Sequence, residues 1–383
     1  MKTIPYGKQY IDKKDIKIVS QSLQSNLITT GSYVDRFEKT IKKYFNSKYV
    51  LSCTSGTSAL DLSIRSIDLK VGEVVIMPAV TFIASYNICL LLGAKIYLAD
   101  IDPLTGQMTP KTIQDCIKRN KLLKIKLIIT MQMGGYPENI LNFYQLKKKY
   151  NCFLIEDSCH AFGSKYTFRK KIYKVGSCKH SDISTFSLHP LKSITTGEGG
   201  IISTNNKKLF NKMLLTRSHG IIRNIKKYHW KYDIKNPGLN YRLSDINCAL
   251  GLSQFFKLSK FINYREKCYK NYLYLLKNNN NILKFPKYDK SNFSSFHLFL
   301  ININFKKLKK SKDDFFRYMK KNKITSQFHY IPIYKFSLFK QKKPKLINSE
   351  KYFNNTVSLP IFYGLSIKQQ KYIANKVIKY INK

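Results

Sequence analysis

No two cysteines in this chain of 383 residues stand in a Cys-x-x-Cys pair, although eight cysteines are present: Cys53, Cys89, Cys116, Cys152, Cys159, Cys178, Cys248 and Cys268. Their scatter argues against a zinc site, or any other metal site, and against a disulfide framework. Reduced, mostly buried thiols are expected instead. Long apolar runs are missing too. No segment approaches the length of an uninterrupted membrane span. The N-terminus, Met-Lys-Thr-Ile-Pro-Tyr-Gly-Lys-Gln-Tyr, has no apolar stretch of signal-peptide length. A cytoplasmic protein without a membrane partner is the expectation. Acidic residues are scarce, 22 against 68 Lys plus Arg, giving a net charge of +46. Such a balance ordinarily points to nucleic acid or an anionic surface. Here the excess is overwhelmingly Lys, whereas Arg supplies much specific phosphate and base recognition. The lysines run through the whole chain alongside abundant Asn, Ile, Tyr and Phe. Those residue types share A/T-rich codons, so genome composition accounts for the charge, and no nucleic-acid partner is expected.

What is present is a large globular chain with 43% hydrophobic residues. Length alone suggests two or more domains. Apolar positions at helical spacing predict helices over 12–25 and 34–45, followed by a strand at 49–53. Strands are expected at 73–77, 95–98, 126–131, 152–155, 183–186 and 200–204, with helices between the earlier ones and one opening near Thr81-Phe82. This alternation predicts an α/β fold with a mostly parallel, doubly wound sheet and ligands at the C-terminal strand ends. A helix at 246–256 closes that part. Beyond residue 258 the pattern changes to a long helix, a strand at 297–304, a helix at 313–321 and a strand at 326–330. The division read from this is a large cofactor-binding domain, 1–257, and a smaller α+β domain, 258–383. No internal repeat is visible; Lys277-Asn-Asn-Asn-Asn-Ile282 reads as a solvated loop.

Four strand ends carry compatible chemistry. Ser55-Gly-Thr57 stands where a helix begins, and free amides at the positive end of a helix dipole make an anion site. Taken alone the same tripeptide is only a cap. Phe82 follows another strand. Asp157 ends an apolar strand, where an acid can face a cationic ring nitrogen or simply hold a turn. The stretch Asp182–Gly200 places Ser187, His189 and Lys192 on a loop after a buried strand. A lysine there fits an amine that forms an imine with a carbonyl cofactor, although lysines are everywhere in this chain. A Schiff-base lysine, an acid, a phosphate cup and a ring to stack on are what pyridoxal 5'-phosphate needs.

The motifs that carry this chemistry resemble those of the DegT/DnrJ/EryC1/StrS sugar-nucleotide aminotransferases, of the aspartate-aminotransferase fold (fold type I). They are Thr29-Thr-Gly31, Thr54-Ser-Gly-Thr-Ser-Ala59, Pro78-Ala-Val-Thr-Phe82, Glu156-Asp-Ser-Cys-His160, Ser187-Leu-His-Pro-Leu-Lys192, Thr196-Gly-Glu-Gly-Gly200, Arg217-Ser-His-Gly220 and Asn240-Tyr-Arg-Leu-Ser-Asp245. The resemblance covers nearly the whole chain. It implies that Lys192 holds the cofactor covalently and serves as catalytic base, and that Asp157 pairs with the pyridine nitrogen. His160 would lie near the phenolic oxygen and Phe82 on the ring. Ser55, Gly56, Thr57 and Ser187 would bind the phosphate, joined by Asn240 from a neighbouring subunit of a homodimer. Tyr6, the loop Asn26, Leu27, Ile28 and Thr29, His189, Arg242 and the segment His329, Tyr330, Ile331 and Pro332 would contact the sugar nucleotide.

Several of these residues have plain structural readings as well. His160, His189 and His329 read equally as satisfied core histidines, Phe82 as core and Arg242 as half of a helix-end ion pair. Tyr6, His160 and Phe328-His-Tyr-Ile-Pro-Ile-Tyr334 bring the chain nearest to family members of pseudaminic-acid biosynthesis. Those move the amino group of L-glutamate to C4 of a UDP-linked 4-keto-6-deoxy-N-acetyl-L-hexosamine. Met131-Gln-Met-Gly-Gly-Tyr-Pro137 departs from the family's usual Val-His-Leu-Tyr-Gly run, which puts substrate contacts of that loop in doubt. The alternatives are another keto-sugar nucleotide, 3-keto or D-configured 4-keto, or an inactive, basic binding protein on the same scaffold.

Overall fold

The computed structural model describes residues 2–223, 228 and 230–382. Helices α1 (Lys13–Leu23) and α2 (Ser32–Phe45) lead into β1 (Tyr49–Cys53), after which helices and strands alternate. They are α3 (Gly56–Ser66), β2 (Val74–Pro78), α4 (Ala84–Leu91), β3 (Lys95–Ala99), α5 (Pro110–Arg119), β4 (Leu127–Met131), α6 (Ile140–Tyr150) and β5 (Phe153–Asp157). A hairpin, β6 (Lys165–Phe168) and β7 (Lys171–Lys174), precedes β8 (Ile183–Ser187) and β9 (Gly200–Thr204). Then come α7 (Lys207–Arg217), the short pair β10 (Ile221–Arg223) and β11 (Tyr232–Ile234), α8 (Asp245–Phe255) and α9 (Leu258–Leu276). The rest is β12 (Leu283–Lys284), β13 (Phe299–Ile303), α10 (Phe305–Leu308), α11 (Lys312–Lys321), α12 (Ile347–Asn355), β14 (Thr356–Leu359) and α13 (Ile367–Ile381).

Seven strands form one sheet in the order β1-β9-β8-β5-β4-β2-β3. The pairs from β8 through β5, β4 and β2 to β3 are parallel, and β9 runs antiparallel to both its neighbours. The expected mostly parallel α/β sheet is present. Its strands are short apolar runs because helices cover both faces, so neither face needs polar residues. One face packs Leu51, Leu62, Val75, Ile129, Ile155 and Ile202. Another cluster joins Phe37, Phe45, Phe162, Phe186, Ile201 and Leu252. Register sets the site: Met131 pairs with Asp157 and Asp157 with Thr185, while Gly200 pairs with both Ser187 and Cys53. The ends of β4, β5, β8 and β1 therefore lie along one edge.

Long-range capping closes this part. Helix α2 starts at Gly31, which has no side chain to cap it. The buried Asp245 carboxylate does so instead, accepting from the amides of Gly31 (2.7 Å) and Tyr33 (2.8 Å). Two motifs far apart in sequence are thereby one structural unit.

The later residues build a three-stranded antiparallel sheet, β12-β13-β14, over a core that includes Tyr272, Phe299, Phe315 and Val377. The strand expected over 326–330 does not form. Only Gln327 pairs, with Ser358, and the place beside β13 belongs to β14. Side-chain bonds win over a ladder here: His329 is held by Tyr6 and Ser358, and Tyr330 by His160. Pro332 then removes a donor that an extension would need. No helix among the described residues is long and apolar enough to cross a membrane. All eight cysteines are free, and Cys159 is the one not fully buried.

Candidate active site

The anion end comes first. Ser55 caps α3 with a reciprocal pair of bonds, its hydroxyl accepting from the Ser58 amide (3.0 Å) and the Ser58 hydroxyl accepting from the Ser55 amide (2.8 Å). The amides of Gly56 and Thr57 stay among those a first turn cannot satisfy internally. Close packing makes Gly56 necessary. A Cβ there would stand 2.8 Å from the Ser187 Cβ and 3.2 Å from the Cys159 Sγ. Ser187, at the end of β8, accepts from the His189 amide (3.3 Å) and keeps its own hydroxyl proton to donate. The result is a cradle of amides and hydroxyls at the positive end of a helix dipole.

Asp157 ends β5 and is 1% exposed; burial raises its carboxyl above the usual range, with the Cys159 groups opposing. Among the described residues one N–H, that of Cys159 (3.1 Å), donates to the carboxylate. A carboxylate accepts several more, so a cationic donor would stabilise it here. Lys192 sits on the loop after β8, its amide bonded to the His189 carbonyl (2.9 Å). Burial lowers the affinity of its amine for a proton, against the pull of Cys159 and Asp157. A desolvated amine is the nucleophilic form.

These groups share one cavity of about 400 Å³. Ser55, Gly56, Thr57, Phe82, Asp157, His160, Ser187 and Lys192 all line it, together with Tyr6, His189, His329 and Tyr330. The Phe82 ring is 47% exposed and lies 5.7 Å from the Tyr330 ring, centre to centre. His160 has its orientation fixed from both sides. The Gly134 amide can only donate, so Nδ1 accepts (3.4 Å), and the proton of the neutral ring is on Nε2, facing the Tyr330 hydroxyl (3.0 Å). Burial holds His160 well below the ordinary histidine range, and pushes His329 down to about 3. His329 reaches the Ser358 hydroxyl (2.8 Å) and the Tyr6 hydroxyl (3.1 Å). The outer wall is thus made of neutral imidazoles and protonated phenols.

The fit to pyridoxal phosphate can be read from these groups. An anion cradle, a buried acid with spare acceptor capacity, a buried amine and an exposed aromatic face occupy one cavity of suitable size. Among the described residues no cluster suited to a metal ion exists.

Other expected residues stay outside this cavity. Asn26 to Thr29 form an exposed loop, with Leu27 58% and Ile28 48% exposed, tied to Ser244 and Asp245. Asn240 is exposed and bridges to Ser218, and Arg242 lies half-buried next to Leu243. Ile331 and Pro332 follow Tyr330 but do not line the cavity. Among the lining residues that were not anticipated are Met131, Cys159, Glu198 and His297. The first three fall within stretches quoted above for their motifs, which was a usable signal. His297 had none. It precedes β13 in the small sheet, and its ring reaches to 4.3 Å from that of His160 only through tertiary packing.

The sequence profile described as the DegT/DnrJ/EryC1/StrS aminotransferase family matches residues 9–378. The chain is 34% identical over 384 residues to the UDP-4-amino-4,6-dideoxy-N-acetyl-beta-L-altrosamine transaminase of Campylobacter jejuni subsp. jejuni serotype O:23/36, covering 99% of this chain and 98% of that one. It is 29% identical to the GDP-perosamine synthase of Escherichia coli O157:H7, covering 99% of each. Among solved structures, Helicobacter pylori PseC, an aminotransferase involved in the biosynthesis of pseudoaminic acid, superposes with a TM-score of 0.88 at 29% identity, covering 100% of both chains.

Proposed function

The chain belongs to the DegT/DnrJ/EryC1/StrS aminotransferase family, and from that premise we propose that it uses pyridoxal 5'-phosphate to move the amino group of L-glutamate to C4 of a UDP-linked 4-keto-6-deoxy-N-acetyl-L-hexosamine, in the pseudaminic-acid pathway. Its fold is the aspartate-aminotransferase fold, fold type I. The observation that carries the chemistry is the meeting of the Lys192 amine, the Asp157 carboxylate and the α3 N-terminus in one cavity. The sugar is argued from the 34%-identical transaminase and from PseC.

When bound, pyridoxal phosphate supplies a carbonyl that takes the amino group and a ring that draws off electrons from the reacting carbon. The chain's own groups do the rest. The amides of Gly56 and Thr57, with the hydroxyls of Ser55 and Ser187, hold the phosphate. Asp157 accepts a hydrogen bond from the ring nitrogen and keeps it protonated. Phe82 covers one face of the ring. Lys192 Nζ would hold the cofactor and would be placed to carry a proton at the reacting carbon. His160 would lie near the ring's phenolic oxygen, and the Tyr330 hydroxyl, accepting the His160 Nε2 proton, would keep its own proton to donate to the substrate. Tyr6, His189 and His329 complete the sugar side. The exposed loop Asn26–Thr29, Asn240, Arg242, Ile331 and Pro332 belong, in this reading, to a site completed by the second subunit of a homodimer. The same proposal keeps the division at residues 257 and 258, and a cytoplasmic place of action.

The test is mass spectrometry of the product after purified protein is incubated with the cofactor, L-glutamate and the UDP-linked 4-keto-6-deoxy-L-hexosamine. A 4-amino sugar nucleotide with matching 2-oxoglutarate is expected, and none with Lys192→Ala. Turnover in that variant would overturn the assignment. Similarity to GDP-perosamine synthase favours a second reading, another keto-sugar nucleotide. A panel of keto-sugars with no preference for the L series would select it.

A further inference from the structure

Arg265, on α9, is 4% exposed, and no carboxylate lies within ion-pair distance of it among the described residues. A buried cation without a counter-ion is costly unless its donors are used. Its Nη1 donates to the carbonyls of His297 (3.1 Å) and Ile361 (3.2 Å), and its Nη2 makes a longer contact, 3.5 Å, with the carbonyl of Leu191. Its Nε has no partner among the described residues. Those carbonyls come from three separate places: the loop of Lys192, the segment before β13 and the chain after β14. Leu191 immediately precedes Lys192, and His297 lines the same active-site cavity as Lys192. Arg265 and Lys192 also line a second cavity of about 20 Å³.

The charge itself bears on the amine. Burial brings the guanidinium down to about 10, so it remains a cation at neutral pH. Around the Lys192 amine, Asp157 and Cys159 from the end of β5 favour the ammonium form, whereas Arg265 from α9 opposes it. His160, His297 and His329 face the same cavity and are kept neutral by burial. Tyr6 and Tyr330 are kept protonated, and Glu198 and His189 complete the titratable lining. Arg265 is the fixed cation of this set.

We propose that Arg265 is a positioning residue for Lys192: it ties the Lys192 loop to the segment that carries His297 and holds a permanent positive charge near the amine. The proposal rests on the role of Lys192 argued above. The test is competitive labelling of the full-length protein, freed of cofactor, with acetic anhydride over a pH series, read at the Lys192 peptide by mass spectrometry. Arg265→Met removes charge and donors together; Arg265→Lys keeps the charge. In Arg265→Met the Lys192 midpoint should move up in pH, and labelling at neutral pH should fall about threefold or more, since one unit is tenfold in the neutral fraction. Arg265→Lys should restore most of the wild-type profile. If Arg265→Met does not fold, Arg265→Gln, which keeps donors without charge, makes the same comparison. Equal shifts in the charged and uncharged variants, or no shift in either, would overturn the proposal and leave Arg265 a packing residue. Labelling reads the amine whether or not any sugar is aminated, so a failed product assay and a failed Arg265 test are distinguishable.

Discussion

Gly56→Ala probes the phosphate cradle without touching any polar group. The new methyl would stand 2.8 Å from the Ser187 Cβ, 3.3 Å from the Ser187 Cα and 3.2 Å from the Cys159 Sγ, whereas ordinary contact begins at 3.4 Å. Ser187 Cα and Cβ belong to a strand end, not to the tip of a flexible side chain, so α3 and β8 must separate by about 0.6 Å. Overpacking of this kind costs about 1–3 kcal/mol of stability. The same movement draws the Gly56 amide and the Ser187 hydroxyl apart, and in the proposed site both would meet one phosphate. Losing one charge-assisted hydrogen bond costs about 1.5–3 kcal/mol, which is about ten- to a hundredfold in Kd. Fluorescence titration of cofactor-free protein with pyridoxal phosphate measures that, and urea unfolding measures the stability cost separately. Pyridoxal, which lacks the phosphate, should bind wild type and variant alike. An unchanged Kd for pyridoxal phosphate in a destabilised variant would refute the placement of the anion at the α3 N-terminus.

Asp157→Asn should retain the fold and slow the half-reaction with glutamate by about a hundredfold or more, since breaking a buried charge pair costs about 3–5 kcal/mol; single-turnover kinetics of the cofactor-loaded protein with glutamate tests this, and a near-normal rate would remove Asp157 from the ring nitrogen. The buried histidines make the protein acid-labile. His329 binds a proton near pH 6.5 when unfolded but only near about 3 when folded. Stability is therefore complete above pH 6.5 and falls as the pH drops through that window, by about 1.4 kcal/mol per pH unit for each such histidine. Urea unfolding at successive pH values should show a slope shallower by one proton in His329→Gln; an identical slope would contradict it. Glu38→Ala should cost about 3 kcal/mol, because it strands Arg217, whose Nη1 otherwise meets Glu38 (2.9 Å) and the Ser52 carbonyl (2.9 Å). Thermal unfolding checks this, and a shift close to zero would show the pair to be surface-like.

The large sheet was legible because its strands are short apolar runs bounded by glycine, proline and acid, and Tyr49–Cys53 and Gly200–Thr204 form with the expected ends. Local patterning also fixed the start of α3, because Ser55 and Ser58 cap it within one turn. Lys192, Asp157 and the Ser55–Thr57 cradle were legible for a related reason: each stands where a local pattern stops, at a strand end or a helix start. The segment 326–330 misled because its aromatic residues read as a strand when the bonds that hold them, to Tyr6, His160 and Ser358, come from elsewhere in the chain. Periodicity carries no record of such partners. The cap that Asp245 gives α2 was hidden for the same reason, as was the approach of His297 to His160. Sequence by itself determined which residues have the chemistry, since side-chain type and position along a strand or helix are local properties. Tertiary structure alone decided which of them share a cavity, how the Gly134 amide fixes the proton on His160, and that a buried arginine stands between the Lys192 loop and the small sheet, because those depend on distances between segments far apart in the chain.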